Sequence, residues 1–124
     1  LLTWSGHSTF LFQKKNINII IDPQFSERAS PFSFIGPKRY MPSILNSENL
    51  PKIDFVAISH NHYDHLDIPS LKKLHKKFPD AYYLVPLGDK KLLEKNGIKK
   101  VIEFDWWQSF KIDDVEFTFT PVQH

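Results

Sequence analysis

The pattern of apolar and polar positions changes near residue 55. Before it, β-type runs at residues 8–13 and 16–21 flank the polar turn at 14–16, and together they predict a β-hairpin. After it, short apolar runs typical of strands alternate with segments of helical spacing. Because strands and helices that alternate along a chain are typical of α/β folds, we expect a layered α/β domain.

The elements after residue 55 differ in how they should be buried. The predicted strands cover residues 55–59, 81–85, 101–104 and a segment from 115 onward, and the predicted helices cover 69–78 and 89–96. The run at 55–59 is almost continuously apolar, as in strands that are buried on both faces. In the last strand Val115, Phe117 and Phe119 alternate with polar residues, which predicts one buried face.

Residues 24–52 show no clear period and contain four prolines. A connection of this length is uncommon in a compact domain and is often a lid or a binding loop. The alternative is an Ω-like loop that packs its own aromatic side chains. Within this segment, residues 25–40 combine aromatic side chains with Arg28, Lys38 and Arg39, and we hypothesise that this loop contacts an acyl chain and an anionic head group.

Composition narrows the class of protein. The 124 residues predict one small domain, and 41% apolar with 24% charged residues is an ordinary globular balance. The net charge is +2, and the lysines gather on the two predicted helices without interleaved arginines or aromatic residues. Such runs are typical of solvated helix faces, so we expect no nucleic-acid partner.

Three absences from the sequence also matter. There is no cysteine, which excludes disulfides and thiolate metal ligands. No apolar run approaches the roughly 18 residues of a membrane span. No signal peptide is visible, and we expect a cytoplasmic location.

The strongest chemical signal is the run HNHYDH at residues 60–65, which directly follows the apolar run at 55–59. Such residues then lie at the carboxyl end of a strand, where α/β sheets place their sites. Side chains alternate in extended backbone, so His60 and His62 project from the same side and can reach one metal ion. Asp64 and His65 follow where the chain leaves the strand, and they can reach a second ion.

Nitrogen and carboxylate ligands without sulfur suit Zn²⁺, with Fe and Mn as alternatives. Two ions about 3.5–4 Å apart would hold a bridging hydroxide. The other interpretation is a surface histidine cluster that binds no metal. His60 and His62 lack a third protein ligand, and His124 at the end of the last predicted strand can supply it.

The H-x-H-x-D-H pattern of residues 60–65 resembles the signature of the metallo-β-lactamase fold superfamily. The chain looks most like the branch that contains N-acylphosphatidylethanolamine-hydrolysing phospholipase D and its bacterial relatives. The likeness rests, in order along the chain, on TWSGHSTFLF, IIIDPQFSERASPFSFIGPKRY, DFVAISHNHYDHLD, YYLVPLG, FDWWQ and FTPVQH.

The resemblance implies half of a stacked αββα sandwich, with a mixed sheet and its helices on one face. Residues 1–124 would then form a single partial domain, the N-terminal half. The ligands of one zinc would be His60, His62 and His124, and those of the other Asp64 and His65, with Asp64 also expected to be catalytic. Family members add a later Asp and a later His. We therefore expect a missing C-terminal half or self-association through the uncovered sheet face.

Two further residues are candidates for roles beside the metals. His7 lies just before the first predicted strand, and the resemblance places it near the site, where it could meet substrate or support a ligand. Asp22 ends a predicted strand and could accept a hydrogen bond from a metal-binding imidazole. The alternatives are a structural hydrogen bond in a turn for His7 and a cap for Asp22.

The leading functional hypothesis is a zinc-dependent hydrolase in which metal-bound hydroxide attacks a phosphodiester, as in a phospholipase D. A small-molecule or phospholipid substrate follows from the resemblance, as does peripheral contact with a membrane. One alternative is a lactonase or esterase with the same metal centre. Another is a non-catalytic metal-binding module.

Overall fold

The computed structural model describes residues 1–28, 30, 34–40 and 43–121. Its main feature is a six-stranded sheet in which the strands lie side by side in chain order. The strands are β1 (Leu2–Trp4), β2 (Phe10–Lys14), β3 (Ile17–Ile21), β4 (Phe55–Ala57), β5 (Tyr82–Pro86) and β6 (Val101–Phe104). The strands from β1 to β3 pair antiparallel, and those from β3 to β6 pair parallel. Strand β1 therefore runs in the same direction as β3 to β6, and the carboxyl ends of these five strands meet at one edge.

The two faces of the sheet are covered by different elements. Helices α1 (Ile68–Lys77) and α2 (Lys90–Lys95) pack on one face, and the hairpin of β7 (Ser109–Ile112) and β8 (Val115–Thr118) packs on the other. Alternation along the strands supplies both cores: Ile20 and Val56 face the helices, whereas Ile19 and Phe55 face the hairpin. Burial on both faces explains why β3 and β4 are apolar almost without interruption.

Helix α1 shows how the sequence specifies an element on this face. It begins with a proline in its first turn, where a missing N–H costs nothing. Leu71 and Leu74 are fully buried against the sheet, and the lysines between and after them face solvent. The helix ends at Lys77, and the N–H of the C-cap residue Phe78 donates to the Leu74 carbonyl. Neither described helix has the length and apolar character that crossing a membrane requires.

The expected α/β class, with a mixed sheet and helices on one face, is confirmed. The hairpin predicted at 8–21 is β2–β3, with Phe10 opposite Ile21. Strand β4 ends at Ala57 rather than at residue 59, and β7 was not predicted from the sequence. That residues 1–124 form only half of a larger domain stays a prediction.

Candidate metal centre

The candidate site lies at the edge where the parallel strands end. Asp22 directly follows β3, and residues 58–65 follow β4, its parallel neighbour. The chain then turns sharply, because the N–H groups of His65 and Leu66 both donate to the His62 carbonyl, at 2.9 and 2.7 Å. This turn brings the four predicted ligands of residues 60–65 back over the same edge.

Asp22 is the buried anchor of the site, only 3% exposed. Its Oδ1 accepts the backbone N–H of Ser59 at 2.7 Å, and its Oδ2 accepts the Ser59 hydroxyl at 2.7 Å. Oδ2 also lies 2.8 Å from Nδ1 of His65. A carboxylate only accepts hydrogen bonds, so Nδ1 of His65 carries the proton and Nε2 carries the lone pair that a metal ion needs.

Ser59 extends the same arrangement to the next imidazole. Its hydroxyl hydrogen is donated to Asp22, and its oxygen lies 3.0 Å from Nδ1 of His60. Nδ1–H of His60 therefore donates to Ser59, which leaves Nε2 of His60 as the acceptor. That nitrogen lies 3.1 Å from Nδ1 of His62. The imidazoles of His60 and His62 thus converge, with ring centroids 4.6 Å apart.

Asp64 lies between the imidazoles of His7 and His65. Its Oδ2 lies 2.9 Å from Nε2 of His7 and 3.5 Å from Nε2 of His65. Burial alone would raise the pKa of the Asp64 carboxyl. Hydrogen bonds from its own backbone and from His7, together with the positive charge that His65 and His7 carry when protonated, lower that pKa overall. An ionised carboxylate is the form that binds a divalent cation.

The donor set fits a divalent transition metal. One ligand atom each of His7, Asp64 and His65 lies within 4.8 Å of the others, and the rings of His60 and His65 are 3.9 Å apart. Imidazole nitrogens and a carboxylate without sulfur are ligands that Zn²⁺, Fe and Mn accept. The structure brings together His60, His62, Asp64 and His65; His124 lies outside the described residues. The individual ligand roles stay predictions.

Two contributors were underestimated from the sequence. His7 was expected only beside the site, yet its Nε2 lies with the ligand atoms of Asp64 and His65. The turn that carries it has positive φ at Gly6 and His7, 95° and 50°, so the backbone there is constrained. The sequence pattern predicts Ser59 only as the end of a strand. Its place directly before the histidine motif was the available signal.

A cavity of about 1210 Å³ opens beside these residues. It is lined by His7, His62 and Asp64 from the candidate site, by Lys38 and Arg39 from the long connection, and by apolar side chains. Such a volume exceeds the roughly 300–1,000 Å³ of most small-ligand pockets. The candidate centre is therefore accessible to a ligand of substantial size.

The chain matches known proteins over most of its length. Residues 17–124 match the family described as a beta-lactamase superfamily domain. The N-acyl-phosphatidylethanolamine-hydrolyzing phospholipase D 1 of Caenorhabditis elegans is 39% identical over 131 residues, covering 98% of this chain and 37% of the worm protein. The mitochondrial enzyme of that name from Saccharomyces cerevisiae is 34% identical, covering 98% of this chain and 26% of the yeast protein.

Solved structures share the fold. The diiron β-hydroxylase CmlA from Streptomyces venezuelae superposes with a TM-score of 0.73 at 22% identity, covering 98% of this chain and 24% of that protein. The metallo hydrolase Igni18 from Ignicoccus hospitalis superposes with a TM-score of 0.68 at 23% identity, covering 99% and 48%. The chain spans about a third of the length of the first curated relatives it matches. It belongs to the beta-lactamase superfamily, as the signature at residues 60–65 predicted.

Proposed function

We propose that this protein is a metal-dependent hydrolase that acts on a phosphodiester. The observation that carries the proposal is the convergence of His7, His60, His62, Asp64 and His65 at one sheet edge, with Asp22 orienting His65. Relatives whose names state an activity agree with this class. Besides the worm and yeast phospholipases, a protein of Caldivirga maquilingensis named a UPF0173 metal-dependent hydrolase is 28% identical over 126 residues.

A divalent ion bound by these residues would polarise the bond to be cleaved and would activate water. The chain supplies the means of holding it. His60 and His62 offer a pair of converging nitrogens, and Asp64 and His65 offer an oxygen and a nitrogen. Asp22 holds the proton of His65 at Nδ1, and His7 holds the Asp64 carboxylate in place. In the reaction, the oxygen of water bonds to phosphorus, the bond to the alcohol breaks, and the alcohol leaves with a proton.

The identity of the metal and substrate is the finer part of the proposal. Zinc suits the nitrogen-rich, sulfur-free donor set. A phosphodiester suits a cavity that places Lys38 and Arg39 beside the candidate centre. The cavity also has apolar walls, including Leu66 and Leu92, which are suited to an acyl chain. A phospholipid, presented by a membrane to which the protein binds peripherally, combines both features.

The test is metal binding together with turnover. Purified protein supplied with zinc should retain up to two equivalents after dialysis and should hydrolyse bis(4-nitrophenyl) phosphate. His60→Ala and His62→Ala should each lower zinc affinity and turnover by about 100-fold or more. Mutating a residue that only hydrogen-bonds to a metal ligand already lowers affinity or activity by about 10–100-fold, and loss of a ligand itself should lower them further. His75→Ala is the matched control, since it removes an imidazole from helix α1.

Each outcome selects a hypothesis. Zinc content that is unchanged in His60→Ala and His62→Ala would contradict the proposed site. Zinc bound without turnover of any substrate would favour a metal-binding module. The apolar cavity wall also suits a lactone or ester, so a lactone should be assayed in parallel. Turnover of the lactone above that of the phosphodiester would favour this second candidate.

A further inference from the structure

Three cations of the long connection, Arg28, Lys38 and Arg39, lie between residues 25 and 40, and the structure separates their environments. Arg28 donates from Nη1 to the Gly36 carbonyl at 2.7 Å, within the connection itself. Lys38 and Arg39 instead line the large cavity together with His7 and Asp64. Lys38 is exposed, whereas Arg39 is half-buried. Arg39 is therefore the cation that the fold holds most firmly beside the candidate centre.

Arg39 is fixed by contacts with the segment that follows Asp22. Its backbone N–H donates to the Glu27 carbonyl at 2.8 Å, and its Nη1 donates to the Gln24 carbonyl at 2.8 Å. Gln24 is buried and lies two residues after Asp22, which orients His65. The guanidinium also lies close to the turn that carries His7. Its Nη2 is 3.8 Å from the position that a Cβ would occupy at Gly6. These contacts hold the guanidinium in one orientation relative to the candidate metal centre.

The guanidinium retains unused hydrogen-bonding capacity and charge. Its Nη2 is buried and has no hydrogen-bond partner among the described residues. Within the described ranges, no carboxylate forms an ion pair with it. Asp67 acts on Arg39 only through its charge, while its own Oδ2 accepts hydrogen bonds from Ser26 and Ser70. Burial lowers the pKa of Arg39, but an arginine stays protonated in proteins.

A buried donor without a partner costs free energy, and a charged donor costs more than a neutral one. We infer that Arg39 is a specificity-determining residue that binds an anionic phosphodiester in the cavity and discriminates against neutral esters and lactones. This inference rests on the proposed function. The guanidinium presents a planar fork of donors that suits phosphate oxygens, and a neutral ester or lactone offers it no charge. Lys38 adds positive charge at the exposed side of the cavity.

The experiment compares substrates of different charge. Arg39→Gln should raise KM for bis(4-nitrophenyl) phosphate by about 10-fold or more, which is the loss expected for one charge-assisted hydrogen bond. The same variant should change kcat/KM for the neutral 4-nitrophenyl acetate by less than about 2-fold. Arg39→Lys keeps the charge but loses the planar fork of donors. Its KM for bis(4-nitrophenyl) phosphate should therefore lie between those of Arg39→Gln and the unaltered protein. Lys72→Gln removes one charge from an exposed position on α1 and should leave kcat/KM unchanged for both substrates.

The possible results distinguish failure of the inference from failure of the proposed function. If Arg39→Gln lowers kcat/KM equally for both substrates, or for neither, the inference is overturned. If Arg39→Gln does not fold, the same comparison is made with Arg39→Lys. If the unaltered protein cleaves neither substrate, the proposed function fails, and calorimetric titration with diphenyl phosphate still tests Arg39. Weaker binding by Arg39→Gln then supports the inference, and equal binding overturns it. A parallel titration with anionic phospholipid vesicles shows whether the phosphodiester is recognised in solution or in a lipid head group.

Discussion

At the scale of single residues, the buried carboxylate of Asp22 links three groups of the candidate metal centre. Both of its oxygens are used, by the backbone and hydroxyl of Ser59 and by Nδ1 of His65. Its backbone has a φ of 43°, a left-handed conformation that Asp tolerates better than most residues. An aspartate at this strand end therefore satisfies both requirements: it supplies two accepting oxygens and it tolerates the left-handed backbone.

Asp22→Asn should lower zinc affinity by about 10–100-fold, because an amide has only one acceptor oxygen. Its NH2 group would face either the Ser59 backbone N–H or the pair formed by the Ser59 hydroxyl and Nδ1–H of His65, and all of these are donors. Competition with a chelator of known affinity measures the change. Asp114→Asn is the control, since Asp114 is an exposed acid that pairs with Lys15. Equal zinc affinity in Asp22→Asn and the unaltered protein would remove Asp22 from the site.

At the scale of elements, the start of helix α2 is built in an unusual way. Asp89 occupies the N-cap position, yet its side chain makes no capping hydrogen bond. Instead Oε1 of Glu103, on β6, accepts the N–H groups of Gly88 and Lys90 at 3.0 and 2.7 Å. Asp89 is only 6% exposed, and its Oδ2 has no hydrogen-bond partner in the described part of the chain.

Burial raises the pKa of Asp89, as does the charge of Glu103, and the hydrogen bond from Asn61 opposes the shift only in part. The folded state thus binds this proton more tightly than the unfolded state. The contribution to stability is complete below the ordinary pKa of 3.8 and is lost as pH rises through the folded-state value. Asp89→Asn has no carboxyl group to ionise, so this variant does not lose that stability as pH rises. Its free energy of unfolding should exceed that of the unaltered protein at pH 7, and the gain should disappear near about pH 3.5.

Urea denaturation at the two pH values measures this difference. Asp80→Asn is a control of opposite sign, because the hydrogen bond from Lys100 lowers the pKa of Asp80. That variant should not gain stability at pH 7. A loss of stability in Asp89→Asn at pH 7 would mean that the ionised carboxylate of Asp89 is stabilising, contrary to its burial.

At the scale of the whole molecule, exposed apolar surface is conspicuous. Trp106 and Trp107 follow β6 and are 66% and 69% exposed. A groove of about 350 Å³ between the sheet and the β7–β8 hairpin is lined by Phe12, Ile19 and Phe117 among others. Large exposed apolar patches typically mark surfaces that bind another molecule.

We therefore expect the purified protein to associate as its concentration rises, which sedimentation velocity measures. Replacing Trp106 and Trp107 together by Ser should weaken the association, because it removes two exposed indoles. Replacing the exposed Lys91 and Lys95 by Ser is the control. A protein that stays monomeric across the accessible concentrations would contradict the expectation.

The sequence alone determined the features that depend on local pattern. The apolar periods gave β3, β4 and α1 within a few residues, and the run at 60–65 indicated a metal site at a strand end. Strand β7 escaped because its four residues become a strand only through pairing with β8. Short segments of this kind carry too little pattern to be recognised by themselves.

Only the tertiary structure decided which distant groups meet. It places His7 beside Asp64 across 57 residues and Asp22 beside His65 across 43. It also separates Arg39, which lines the cavity, from Arg28, which does not. The physical reason is that such contacts follow from strand order and from the path of a long connection, and neither is encoded in any local period. The chain thus carries its ligands as a motif, but the fold selects the residues that orient them.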